Sequence, residues 1–172
     1  MTALVIRGPF GRNGIPFRPS RSNVNVTSLG AIDNPIPNWL LNLFWKLQDV
    51  VDEHAVEGWD GYDALPIYPA SARNAHRFLL SMPRHLASPE IVPEPDGEIS
   101  LEWGNVKIAY ASLSFNPDGR CTFASVLTNG DRLSGCFSLK DDIIPDHISR
   151  LVQQVSEQTA FPASAGPVSA AS

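Results

Sequence analysis

Between residues 40 and 51, apolar side chains return every three or four positions: Leu40, Leu41, Phe44, Leu47, Val50 and Val51. That spacing predicts an amphipathic helix. Asn34 suits its N-cap, Pro35 its first turn and Gly58 its end. Trp39, Leu43 and Trp45 fall outside the stripe, so the first half of the helix is apolar nearly all round. A helix of that kind is predicted to be covered on two sides. A second helix is predicted from Pro69 through Ala72, Ala75, Phe78, Leu79 and Met82, and Pro83 stops it.

After residue 89 the period changes from helical to alternating. Strands are predicted at Glu90–Glu94, Glu98–Trp103, Val106–Phe115, Arg120–Leu127 and Arg132–Leu139. The turns between them are Pro95-Asp96-Gly97, Gly104-Asn105, Asn116-Pro117-Asp118-Gly119 and Asn129-Gly130. A two-residue turn at Gly104-Asn105 sets Glu102 opposite Lys107. A two-residue turn at Asn129-Gly130 sets Cys121 opposite Ser138 and Cys136 opposite Phe123. Both thiols then share one face as diagonal neighbours about 7–8 Å apart, too far for an unstrained disulfide. They read as a buried pair of small apolar side chains. Ile99, Leu101 and Trp103 share the apolar sheet face, whereas Ser100, Glu102 and Gly104 share one that is wet or partly covered by the N-terminal arm. A final helix starts near Pro145, with Ile148, Leu151, Val152 and Val155 as its stripe. The predicted fold is α+β: two helices, a four- to five-stranded antiparallel meander, then a C-terminal helix on one sheet face.

The organisation that follows is a basic arm at 1–33, one α+β domain at 34–159 and a disordered low-complexity tail at 160–172. Charge divides along the same line. The chain carries −5 overall, but residues 1–32 hold Arg7, Arg12, Arg18, Arg21 and no acid, so they carry +4 and the remainder −9. Such an arm binds an outside polyanion or partner, folds back on the acidic body, or stays solvated. The opening Met1–Ile6 run is too short for a signal peptide. No apolar run approaches the roughly 20 residues that span a bilayer. Two cysteines without CxxC spacing make no disulfide scaffold. A cytoplasmic protein, away from membranes, is expected.

The most unusual segment is the loop Trp59–Pro66 and the helix end before it, with six acids and no lysine or arginine between positions 49 and 63. Asp60 and Asp63 can hold a cation or form an acid/base pair. Asp before Gly is equally ordinary turn chemistry, and Trp59 and Tyr62 can anchor the loop or meet a ligand. Arg73, His76 and Arg77 make a basic helical face fit for phosphate, or for pairing with the acidic loop. The four histidines show neither HExxH nor HxH spacing. No histidine lies in the meander to activate a cysteine, and no GxSxG elbow or phosphate-binding glycine loop is present. No cofactor, metal or catalytic residue is therefore expected.

Glu57-Gly58-Trp59-Asp60-Gly61-Tyr62-Asp63-Ala64-Leu65-Pro66-Ile67 and Ile91-Val92-Pro93-Glu94-Pro95-Asp96-Gly97-Glu98-Ile99-Ser100-Leu101-Glu102-Trp103, followed by Ser114-Phe115 and Asp118-Gly119, form a recognisable pair. Over about residues 55–155 the chain resembles a family of small uncharacterised bacterial proteins that combine a Gly-Trp-Asp-Gly loop with a Pro-Asp-Gly-Glu-Ile hairpin. The resemblance implies a bacterial source, a recurrent fold and an association with mobile or defence-type gene clusters. It carries no activity and no catalytic residue.

These features point to a non-enzymatic protein-binding or regulatory accessory protein of the antitoxin or immunity kind. Its partner is another protein or a second copy of itself. The expected contacts are Trp39, Leu43 and Trp45 on the helix, and Trp59, Asp60, Tyr62 and Asp63 on the loop. Two alternatives use other residues. One is a nucleic-acid-associated protein acting through the arm and the Arg73/Arg77 face. The other is a metal-dependent hydrolase using Asp60 and Asp63.

Overall fold

In the computed structural model, residues 36–139 and 143–160 are described. The expected arm, all of the expected tail but Ala160, and the helix start at Asn34 and Pro35 lie outside them. Helix α1 spans Asn38–Glu53 and α2 Pro69–Ser81. Strands β1 Glu90–Pro93, β2 Ile99–Asn105, β3 Ala109–Phe115, β4 Arg120–Val126 and β5 Arg132–Ser138 follow, and α3 closes the order at Asp146–Ala160. The strands pair antiparallel in sequence order, β1-β2-β3-β4-β5. Helix α1 therefore begins later than its expected cap. Pro37 sits extended at the N-cap position and makes no side-chain cap bond. A proline there restricts Ile36 to extended backbone and keeps it out of the helix.

The apolar sheet face carries Ile91, Ile99, Leu101, Trp103, Ala111, Leu113, Phe115 and Cys121, all buried in one core with the three helices. Helix α2 is pinned there by polar bonds as well as packing. The buried Ser71 hydroxyl donates to the Phe115 carbonyl and accepts the Ile99 N–H at 2.8 Å. Ile99 and Phe115 are cross-strand partners, so one side chain ties the helix to both middle strands. One turn further on, Asn74 Nδ2 donates to the Asn116 carbonyl at 2.8 Å.

Three of the four hairpins use one device. In each, a glycine N–H returns to the carbonyl three residues earlier: Gly97 to Glu94, Gly119 to Asn116 and Gly130 to Leu127. The glycines have φ of 83°, 81° and 85°. The closing pairs are Glu94 with Glu98, Asn116 with Arg120 and Leu127 with Asp131. This is the three-residue loop ending in a left-handed glycine. It corrects the register at Asn129-Gly130 by one residue. Cys121 faces Phe137, and Thr122 faces Cys136. A slip of one sends alternate side chains to opposite faces. The two thiols therefore part: Cys121 is buried and Cys136 exposed.

The β2–β3 turn also differs from expectation. Asn105 pairs with Ala109, and the loop is Val106–Ile108. The Asn105 side chain accepts the Lys107 N–H at 2.9 Å, while its carbonyl accepts the Ile108 N–H at 2.9 Å. Asn105 opens the turn instead of sitting at its centre. Glu102 accordingly faces Ser112, not Lys107.

Candidate functional site

Burial along α1 separates its two apolar sides. Leu40, Leu43, Leu47, Val50 and Val51 enter the core. Leu43, expected among the partner contacts, is only 6% exposed and is a core residue. Leu41, expected in the core stripe, is 38% exposed, and Trp45 is 39% exposed. Positions four apart stand one above the other on a helix, so Leu41 and Trp45 form a continuous apolar ridge. Half-buried Phe44 lies inboard and packs on the His76 ring at 4.3 Å between centroids. Trp39 is also half-buried against the core. It lies six residues from Trp45, on the other flank of the helix, so the two tryptophans do not share a face. Leu41 is the residue the sequence reading missed.

The loop after α1 is a closed knot. The Gly58 N–H donates to the Ala64 carbonyl at 2.8 Å, and Ile67 N–H to His54 at 3.0 Å. Trp59 is an anchor: its Nε1–H donates to the Leu65 carbonyl at 2.9 Å, and its ring meets His54 edge-on at 4.4 Å. Asp60 accepts the backbone N–H groups of Tyr62 and Ala64 at 2.9 and 3.3 Å. One of its oxygens thereby holds the turn. The knot pushes Tyr62 outward to 86% exposure, with Asp63 exposed beside it. Of the four loop residues named from the sequence, the structure turns Trp59 and Asp60 to holding the loop and presents Tyr62 and Asp63.

The two motifs read as a pair in the sequence are joined in space. Leu65 N–H donates to the Pro95 carbonyl at 2.8 Å, and Tyr68 N–H to the Gly97 carbonyl at 2.9 Å. The Gly-Trp-Asp-Gly loop and the Pro-Asp-Gly turn thus form one laced unit.

Arg73, His76 and Arg77 do not form a common basic face. Arg73 is exposed. His76 is buried under Phe44, and Arg77 is half-buried with its guanidinium donating to the Leu139 carbonyl at 2.9 Å. Burial lowers the His76 pKa from 6.5 to about 4. Between those values the unfolded chain takes up a proton that the folded chain refuses. Stability is therefore present above pH 6.5 and falls as the pH drops toward 4, by up to about 3 kcal/mol from this group. We expect urea midpoints to show this loss between about pH 7 and 4.5, and His76→Phe to remove most of it. An unchanged pH profile in that variant contradicts the assignment.

Other titratable groups mark different places. Tyr110, on β3, is pushed up to about 12 by burial and by its hydrogen bond to Glu102. Burial pushes the Cys121 thiol up, which removes it as a nucleophile. No group of three or more His, Cys, Asp or Glu among the described residues is arranged to hold a metal ion. No helix among them is long and apolar enough to cross a membrane.

No family model, curated protein or solved structure matches the chain. The likeness drawn from the loop and hairpin motifs rests on those residues alone.

Proposed function

We propose that this chain is a non-enzymatic binding protein that neutralises or regulates another protein, with the Leu41–Trp45 ridge of α1 as its contact surface. The observation that carries the reading is the open tryptophan on a helix whose opposite side is fully committed to the core. Burying a tryptophan and a leucine against a partner is a favoured way to form an interface centre. Exposed Tyr62 and Asp63, carried on a loop with its own hydrogen bonds, supply an aromatic and a charge for the polar rim. A cytoplasmic, bacterial setting belongs to the same reading. The hydrolase alternative loses force because one Asp60 oxygen is engaged by two backbone amides. The nucleic-acid alternative loses its helical face, since Arg77 and His76 turn inward.

The test is Trp45→Asp in the full chain. We expect a melting temperature within a few degrees of the parent, because surface changes are usually within about 0.5 kcal/mol. A host protein retained by the parent should be lost from the variant. A collapse of the fold would place Trp45 in the core and overturn the reading.

A further inference from the structure

The two edges of the sheet are built differently. Strand β1 is four residues long, carries Glu90 and Pro93, and is packed against α1. Short length, charge, proline and a covering helix are the usual guards of an edge strand. Strand β5 has one of these, Arg132 at its first position. It runs seven residues, holds no proline, lysine or acid, and pairs with β4 without a bulge. Among the described elements it packs on β4 alone, and every residue but half-buried Phe137 is exposed.

The ladder fixes where the β5 main chain points. Bonds from the Leu127 N–H to the Asp131 carbonyl and from the Leu139 N–H to the Gly119 carbonyl, both 2.9 Å, bracket the β4–β5 pair. Bonded and non-bonded pairs alternate along an antiparallel ladder. Leu133, Gly135 and Phe137 are therefore committed to β4, while Arg132, Ser134, Cys136 and Ser138 turn their N–H and C=O groups to the open edge. An extended chain matches that pattern of a donor and an acceptor at every second residue.

The two sides of the edge differ in chemistry. On the helix side, Leu133 is 48% exposed, and the Phe123 ring lies over Gly135, 2.8 Å from where a Cβ would stand. With Phe137 they make an apolar shelf that runs out to the edge. On the other side Ser134, Cys136 and Ser138 are exposed. The charged residues of the two strands are Arg120 and Arg132, exposed at opposite ends of that polar side.

We propose that β5 takes up an extended peptide segment of another protein as a further strand of the sheet. The segment alternates apolar residues, which lie on the shelf, with polar residues, at least one of them acidic, which face the arginines. Strand addition draws affinity from main-chain bonds and specificity from alternate side chains. The site does not depend on the Leu41–Trp45 ridge, because α1 packs on α2 and on β1, the opposite edge of the sheet.

The test selects peptides of about ten residues from a random phage-displayed library on the full chain. Ser134→Pro deletes one outward N–H, and proline is accepted in an edge strand where that group faces solvent. Ser134→Ala keeps the N–H. The best peptide should bind the parent, Ser134→Ala and Trp45→Asp alike, and Ser134→Pro about tenfold or more weakly. Melting curves confirm that each variant folds. In the parent chain, peptide should slow amide exchange at Ser134 and Cys136 and leave β1 unchanged, a result that stands even if Ser134→Pro does not fold. No selected peptide, peptides without alternation, or equal binding by Ser134→Pro overturns the proposal. So do Ser134 and Cys136 amides that are already slow in the free monomer, because another part of the chain would then hold the edge. A solution mass that doubles with concentration, and falls back in Ser134→Pro, assigns the edge to a second copy and overturns the capture of a different protein.

Discussion

Replacing Gly104 with alanine should destabilise the fold by about 3–5 kcal/mol, a large part of the total stability of a domain this size. Gly104 sits at φ 87°, in the left-handed region. A Cβ there would run into the Ala109 carbonyl oxygen and lie 2.7 Å from a Val155 methyl. Neither contact can relax cheaply. The oxygen is main chain at the start of β3, paired with Asn105, and Val155 is fully buried on α3. The methyl would therefore push the C-terminal helix off the sheet as well as straining the turn. Gly119→Ala is the control. It shares a similar φ of 81° but has nothing within 4 Å of its would-be Cβ. It should cost only about 1–2 kcal/mol. Denaturant midpoints decide the matter, and equal losses in the two variants would contradict the packing argument.

Gly97→Ala should follow closely, at about 2–4 kcal/mol. Its Cβ would lie 2.8 Å from both the Pro66 carbonyl oxygen and the Tyr68 ring. The loss should be local as well as global. Amide exchange at Leu65 and Tyr68, which donate to Pro95 and Gly97, should accelerate more than exchange in β3 and β4. If those two amides stay protected, the loop and the turn are not the single unit described.

The order of elements was legible because each signal was local. Prolines 69 and 83 bracket α2, and among the described residues each Asp-Gly or Asn-Gly pair marked a real turn. Register was less legible. The expectation at Asn129-Gly130 took the shortest turn compatible with the pair, while the chain uses one more residue and ends on the left-handed glycine. That single residue reversed the facing of Cys136. The phase of α1 failed for a different reason. With leucine, tryptophan and phenylalanine on nearly every side, no polar stripe fixes which side is inward. Packing against α2 and β1 decides it, and exchanges the expected places of Leu41 and Leu43.

The candidate surface was legible in composition and not in detail. Trp45 and Tyr62 stood out as aromatics and remain exposed. Trp59 and Asp60 looked the same in sequence, but their hydrogen bonds are spent on the loop itself. The basic trio could not be judged without tertiary contacts. His76 is covered by Phe44 from α1, a neighbour 32 positions away.

The most direct test of the central claim is the solution mass of the full chain by sedimentation velocity, over a wide concentration range, with and without Trp45→Asp. If the Leu41–Trp45 ridge is kept for a different protein, both chains sediment as folded monomers throughout. A dimer in the parent that Trp45→Asp abolishes would make the ridge a self-association surface, and would contradict the account of a protein that acts on another.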